Sequence, residues 1–202
     1  MQEHTSHEPL LIVISGPSGV GKDTLARMLL RARNEFHFVV TATTRPPRPG
    51  EVNGRDYIFV NEDEFARMIR ENELLEFAVV YNDSKGVPRQ QIRDALASGR
   101  DAVMRVDVQG AAKIRKAAPN GVFIFLTAES EEALEKRLRA RKADSDESIA
   151  LRVATAQQEM RRVDEFDYCV VNAENQQERA LQQLLCIIDA EHRRVGRQPV
   201  RL

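Results

Sequence analysis

The run Gly16-Pro-Ser-Gly-Val-Gly21-Lys22 constrains the fold of this chain more than any other stretch. It follows Leu10-Leu-Ile-Val-Ile-Ser15, a continuous apolar run of the kind that fills a parallel strand buried on both faces. It precedes residues 23–33, where Leu25, Met28, Leu29 and Ala32 recur at helical spacing. A glycine-rich turn between a buried strand and a helix points backbone N–H groups at an anion, and a lysine closing the turn neutralises phosphate charge. Gly16, Pro17, Ser18, Gly19, Val20, Gly21 and Lys22 are therefore expected to cradle nucleotide phosphates, with Asp23 and Thr24 opening the helix behind them. The pattern departs at Asp23, where a Ser or Thr hydroxyl usually ligates Mg2+. The next hydroxyl, Thr24, is displaced by about 100° around the helix. Asp23 is thus a candidate Mg2+ ligand, directly or through water, and an acid that suits a helix N-terminus in any case.

Beyond this unit, strand-like runs at 38–40, 57–60, 74–80, 102–106, 122–126 and 168–171 alternate mostly with helical patterns. Such alternation predicts an α/β fold with a parallel central sheet. Asn61 followed by Glu64 reads as a capping box opening a helix over 62–71, and Pro88 suits the first turn of a helix ending before Gly99. Residues 129–142 and 146–165 read as two highly charged helices joined by Ala143-Asp-Ser145, more a mobile flap than a piece of core. A last amphipathic helix is expected over 176–193, and 197–202 as a frayed tail.

The bulk properties exclude some classes of function. Thirty basic residues against thirty-one acidic ones leave a net charge of -1, so no global field argues for nucleic acid or an anionic membrane. No apolar run approaches the roughly 18 residues of a membrane span, and the polar residues 1–9 lead into an apolar stretch too short for a signal-peptide core. The expectation is a cytoplasmic protein. Cys169 and Cys186 lack metal-ligand spacing and read as core fillers in a reducing compartment.

A second anion site is suggested by Thr41-Ala-Thr-Thr-Arg-Pro-Pro-Arg-Pro49, where prolines stiffen a loop that presents Arg45 and Arg48. The longer string Thr43-Thr-Arg-x-x-Arg-x-Gly-Glu-x-x-Gly-x-x-Tyr57 resembles the guanylate kinase family. The likeness continues through Phe59-Val-x-x-x-Glu-Phe65, Glu73-Leu-Leu-Glu76, Asp107-Val-Gln-Gly110 and Val170-Val-Asn172, covering about residues 10–189. It implies a P-loop nucleoside monophosphate kinase fold that moves the γ-phosphoryl of ATP to GMP with Mg2+. The division it suggests is a tail over 1–9, one domain over 10–195 and a tail over 196–202. Within the domain the core is 10–37, 88–126 and 167–195, the GMP-binding insertion 38–87 and the lid 127–166.

By the same resemblance Thr41, Arg45, Arg48 and Tyr57 would hold the GMP phosphate, and Glu76 would accept hydrogen bonds from guanine N1–H and the exocyclic amine. Asp107, with Gly110 beside it, would meet the metal or the acceptor, a place that also suits a helix N-cap. Arg137, Arg141 and Arg152 would close over ATP and, with Lys22, Arg45 and Asp107, form the catalytic set, while Asn172 would lie near the adenine. Two departures stand out. Ser84-Lys85-Gly86-Val87 replaces a family pattern carrying a tyrosine and a hydroxyl, so Lys85 would take over a phosphate contact and Val87 offers guanine no hydrogen bond. Arg105 stands where many relatives carry an acid, which changes the charge balance around the metal. The rival readings are a non-catalytic guanylate-kinase-like binding module and a P-loop kinase for another phosphorylated acceptor, such as a ribosyl phosphate.

Overall fold

Strand β1 (Leu11–Ser15) has no exposed residue, which requires a strand on each side and protein over both faces. In the computed structural model, which describes residues 8–80, 83–140 and 146–202, β1 is the middle of a five-stranded parallel sheet. Numbered in chain order, its members are β2 (Phe36–Phe38), β7 (Asp101–Arg105), β1, β8 (Val122–Thr127) and β9 (Tyr168–Val171), lying side by side in that sequence. Alternation along β1 sends Ile12 and Ile14 to one face and Leu11 and Val13 to the other. The first face is covered by α1 (Lys22–Ala32) through Leu25 and Leu29, and by α7 (Gln177–His192) through Leu184 and Ile188. The second is covered by α3 (Arg89–Ala97) through Ile92 and Ala95, and by α4 (Val108–Ala117) through Ala111 and Ile114.

A second sheet carries the proline-stiffened loop that presents Arg45 and Arg48. Its order is β4 (Ile58–Phe59), β3 (Ala42–Thr43), β6 (Asp83–Pro88), β5 (Leu74–Val80); β6 runs antiparallel to both its neighbours. Helix α2 (Glu62–Arg70) covers it with Phe65 and Met68 against Ala42 and Leu74. Gly86 in β6 is needed for closeness, since a Cβ there would lie 2.6 Å from Leu74 Cδ1. Where the chain leaves the main sheet and returns to it, the Gln91 side chain ties the two crossings together. It accepts from Val40 N at 2.8 Å and donates to Val40 O at 2.9 Å.

The parallel central sheet agrees with the sequence reading, and several local expectations need correction. Strands β3 and β6 are absent from the apolar pattern, because β3 is only two residues long and Asp-Ser-Lys-Gly-Val-Pro has little strand propensity and is extended by pairing with β5 and β3. Asn61 does cap α2, accepting from Glu64 N at 2.8 Å, but Glu64 turns to Arg67 instead of closing the box. The second charged helix, α6 (Asp146–Met160), stops short and gives way to a 3-10 turn at Val163–Glu165. Nor is the helix pair solvated all round. Helix α5 (Glu131–Arg139) buries Leu134 and Leu138, and α6 buries Ile149 and Ala156. Both cysteines are exposed: Cys169 faces outward on the edge strand β9, and Cys186 lies off the buried stripe of α7. Among the described residues no helix is long and apolar enough to cross a membrane.

The tail is docked, not frayed. Arg197 pairs with the buried Glu191 and donates to Asn120 O at 2.9 Å, while Val200 and Leu202 pack under the second face. Glu191 also accepts from the Tyr168 hydroxyl at 2.5 Å. Truncating Arg197 strips a buried carboxylate of one of its partners. Arg197→Ala is therefore expected to lower unfolding stability by about 1–3 kcal/mol, read as a lower urea midpoint at unchanged slope, with catalytic constants unaffected.

Candidate active site

The carboxyl end of β1 runs directly into the glycine-rich turn, which is held in place from two sides. At Gly16, with φ +134°, a Cβ would lie 2.2 Å from the Leu126 carbonyl oxygen, so the turn begins pressed against β8. At Gly21, with φ +95°, a Cβ would lie 2.5 Å from Asn172 Nδ2. That amide donates to Val20 O at 2.8 Å, and Asn172 O in turn accepts from Arg137 at 2.9 Å. Gly19 receives Leu138 of α5, whose Cδ2 a Cβ would meet at 2.9 Å. The turn is thereby packed between the end of β9 and helix α5. Lys22 folds back over it, donating to Gly16 O at 2.5 Å and Pro17 O at 2.9 Å. Burial lowers the Lys22 pKa, opposed by the charges of Glu159, Asp23 and Asp107. Thr24 is exposed on the outer side of α1.

Glu159 comes from α6 and is only 7% exposed. Burial pushes its carboxyl up, and Lys22 is the chief opposing influence. Asp23, the first-turn acid of α1, is paired with Arg105 at the end of β7. Arg105 in turn lies 5.1 Å from the Phe38 ring centre and 5.2 Å from that of Tyr57. Tyr57 carries a second guanidinium, Arg45, at 5.1 Å. Arg45 is held by both oxygens of Glu51, at 3.0 and 2.9 Å, and this pairing keeps the Glu51 carboxyl below the usual range. Arg48 is exposed, its backbone N–H donating to Glu51 at 2.7 Å. Thr41, just before β3, and Lys85, in β6, are half-buried.

A third group lies where the second sheet meets α4. Asp107 caps α4 by accepting from Gly110 N at 2.7 Å. A Cβ on Gly110 would come within 3.4 Å of the Glu76 carboxyl carbon, so glycine lets this carboxylate approach the helix. Glu76 is 8% exposed, directly across the β5–β6 ladder from Val87, which is buried in the core. Burial raises the Glu76 pKa, and Lys113 Nζ at 3.2 Å is the main influence against it. Lys113 also donates to Phe77 O at 2.6 Å.

Of the expected lid arginines, Arg137 spans Asn172 O and Glu129, and Arg152 is half-buried in α6. Arg141 lies outside the described residues. Among the described residues no three acids, histidines or cysteines gather as a metal cage. The few carboxylates near Lys22 fit an ion such as Mg2+ that is held mainly by phosphate oxygens and water.

A family model described as guanylate kinase matches residues 8–191. The chain belongs to the guanylate kinase family. It is 53% identical to "Guanylate kinase 2, chloroplastic/mitochondrial" of Oryza sativa over 96% of this chain and 69% of that protein. It is 42% identical to a guanylate kinase of Lactobacillus johnsonii, over 95% and 94% of the two chains. A crystal structure of guanylate kinase from Anaplasma phagocytophilum superposes with a TM-score of 0.77 at 30% identity, covering 95% of this chain and 90% of that one.

Within this guanylate kinase fold the structure adds two residues, Glu159 and Lys113, to those the sequence singled out, and gives a third, Arg105, its partner. Glu159 is concealed in a charged helical run, and Lys113 follows the Asp107–Gly110 motif with no spacing signal of its own. Arg105 shows as a lone cation ending an apolar strand, but nothing in the sequence pairs it with Asp23. Asn172 proves to be a strut for the glycine-rich turn. Asn172→Ala removes the bond to Val20 O and is expected to cost about 1–3 kcal/mol of stability without any nucleotide present, measured by thermal unfolding of the ligand-free protein.

Proposed function

We propose that this chain is a guanylate kinase in activity as well as in kinship, transferring the γ-phosphoryl group of ATP to GMP to give ADP and GDP. The observation that carries the reading is Glu76: a buried carboxylate whose pKa burial raises and Lys113 works to lower, on the sheet whose loop also presents Arg45 and Tyr57. Guanine presents N1–H and an exocyclic amine on one edge, a paired donor that a carboxylate accepts and that adenine lacks. With Val87 offering no hydroxyl, Glu76 bears the choice of base.

The division of labour follows from charge. The N–H groups of residues 16–21 and Lys22 receive the donor phosphates, with Asn172 bracing the turn and Thr24 behind it. Arg45, Arg48 and Tyr57, assisted by Thr41 and Lys85, hold the acceptor phosphate in line. Asp107 and Gly110 stand at the junction of donor and acceptor. Arg137, Arg141 and Arg152 belong to the lid over 127–166, which offsets charge on the transferring group as it closes. Asp23 is the side chain that would hold Mg2+, directly or through water, and the ion would supply further neutralisation of phosphate charge. Position and electrostatics suffice, and no covalent intermediate is needed. We place the activity in the cytoplasm, with ATP and GMP as partners and neither nucleic acid nor membrane.

The test is an ADP-release assay with ATP and Mg2+ across GMP, dGMP, AMP, CMP, UMP and a ribosyl phosphate. GMP should be strongly preferred, and Glu76→Ala should lower kcat/KM for GMP roughly a hundredfold, about 2.7 kcal/mol. Absence of acceptor-dependent turnover would indicate the binding module, and turnover with the ribosyl phosphate alone would indicate a different kinase.

Ionised Glu76 is the form that reads guanine, and the charged groups facing it are Lys113 of α4 and Asp107, the cap of that helix. Lys113→Gln removes the influence that lowers its pKa while Asp107 still raises it. The acid limb of kcat/KM for GMP should therefore move to higher pH, with little change on the alkaline plateau.

A further inference from the structure

We infer that Arg105 is a further ligand of the acceptor phosphate, and that Asp23 is the counter-ion it leaves to take up that role. The inference rests on the guanylate kinase reading and goes beyond it. The start is the pattern of β7, in which Ala102, Val103 and Met104 are buried in the core and Arg105 ends the strand at the carboxyl edge of the sheet. An arginine there has its stem fixed by the strand and its guanidinium delivered to the gap between the glycine-rich turn and the acceptor sheet. Its side chain is 15% exposed.

Three contacts define where the guanidinium sits. It is paired with Asp23 at the start of α1, and it lies against Phe38 and Tyr57 at 5.1 and 5.2 Å. Tyr57 is the ring that Arg45 also flanks, at 5.1 Å. One phenol therefore stands beside two guanidiniums, one from the stiff acceptor loop and one from the central sheet. Each has its own carboxylate, Glu51 for Arg45 and Asp23 for Arg105.

The two carboxylates differ in how firmly they are committed. Glu51 grips Arg45 through two bonds and accepts the Arg48 N–H besides. The Asp23 side chain is 60% exposed, so its hold on Arg105 is weakened by water. A phosphomonoester carries nearly twice the charge of a carboxylate and matches the flat guanidinium fork. A phosphate arriving at Tyr57 therefore outcompetes Asp23 for Arg105. The two aromatic rings hold the guanidinium near its place, so little side-chain freedom remains to be lost on binding. The exchange also leaves Asp23 without its counter-ion beside Lys22, on whose charge it already acts. Occupation of the acceptor site is thus felt at the donor phosphate turn through one displaced carboxylate.

The experiment is calorimetric binding of GMP, and of guanosine as the phosphate-free probe, without ATP or metal so that the donor side does not enter. Arg105→Gln should weaken GMP about tenfold or more and leave guanosine unchanged, and Arg105→Lys should recover part of the loss. Asp23→Asn should tighten GMP severalfold in the wild-type background and do nothing in the presence of Arg105→Gln. Glu76→Ala, as the base-side control, should weaken both probes. The inference is overturned if Arg105→Gln binds GMP within twofold of wild type, or if GMP and guanosine weaken alike, which marks a packing role. A wild-type protein that binds no GMP sinks the guanylate kinase reading as well, whereas tight wild-type binding with an indifferent Arg105→Gln sinks only this one.

Discussion

Gly16 lies so close to the Leu126 carbonyl that no side chain fits between them, and this approach sets the place of everything chemical in the molecule. Because β1 and β8 are neighbours in a fully buried parallel sheet, the turn leaving β1 is fixed to the rigid part of the protein at its first residue. Asn172, from the next strand over, fixes its far end. The glycine-rich turn is thus an extension of the sheet edge, positioned by β1, β8 and the end of β9 rather than by its own loop conformation. Such support lets a loop present several N–H groups in one direction without paying for its ordering when the ligand arrives.

Around that support the site is close to self-neutral. Lys22 lies among Glu159, Asp23 and Asp107; Arg45 has Glu51, Arg105 has Asp23, Arg137 has Glu129, and Glu76 has Lys113. A cleft meant for two polyanions would otherwise repel itself apart when empty, a cost that falls on the folded state. Internal counter-ions offset this, and in exchange they must yield before phosphate can bind. The strength of each pairing therefore helps determine which ligand enters with least resistance.

Much of this was legible before the structure. The strand–turn–helix unit, the alternation behind the parallel sheet and the Asn61 cap follow from local patterns that tertiary context does not override. The acceptor residues became legible through motif resemblance, since Arg45 or Glu76 alone carries no pattern that separates it from a solvated side chain. What the sequence withheld depends on distant pairing. Strand β6 exists because β5 and β3 complete it, not because Asp-Ser-Lys-Gly-Val-Pro prefers to be extended. The docked tail depends on Glu191 and Asn120, and the outward faces of Cys169 and Cys186 depend on which side of β9 and α7 meets the core. Arg105 and Asp23 are far apart along the chain, and only the fold makes them a pair.

The double bond from Gln91 to Val40 has a mechanical meaning. Chain enters the acceptor sheet just after β2 and returns just before α3, and this one amide stitches the two crossings into a single seam. Sliding or separation of the two crossings would break both hydrogen bonds at once, and Leu75 and Val87 seat the same sheet in the core beside Ile92. Its remaining ties to the core include Lys113 on Phe77 O and Arg105 beside Tyr57, which lie where substrate is expected. The seam thus holds the backbone crossings together, while the Lys113 and Arg105 contacts tie the opposite side of the small sheet to α4 and to the end of β7, so the sheet is fixed to the core at both of its sides.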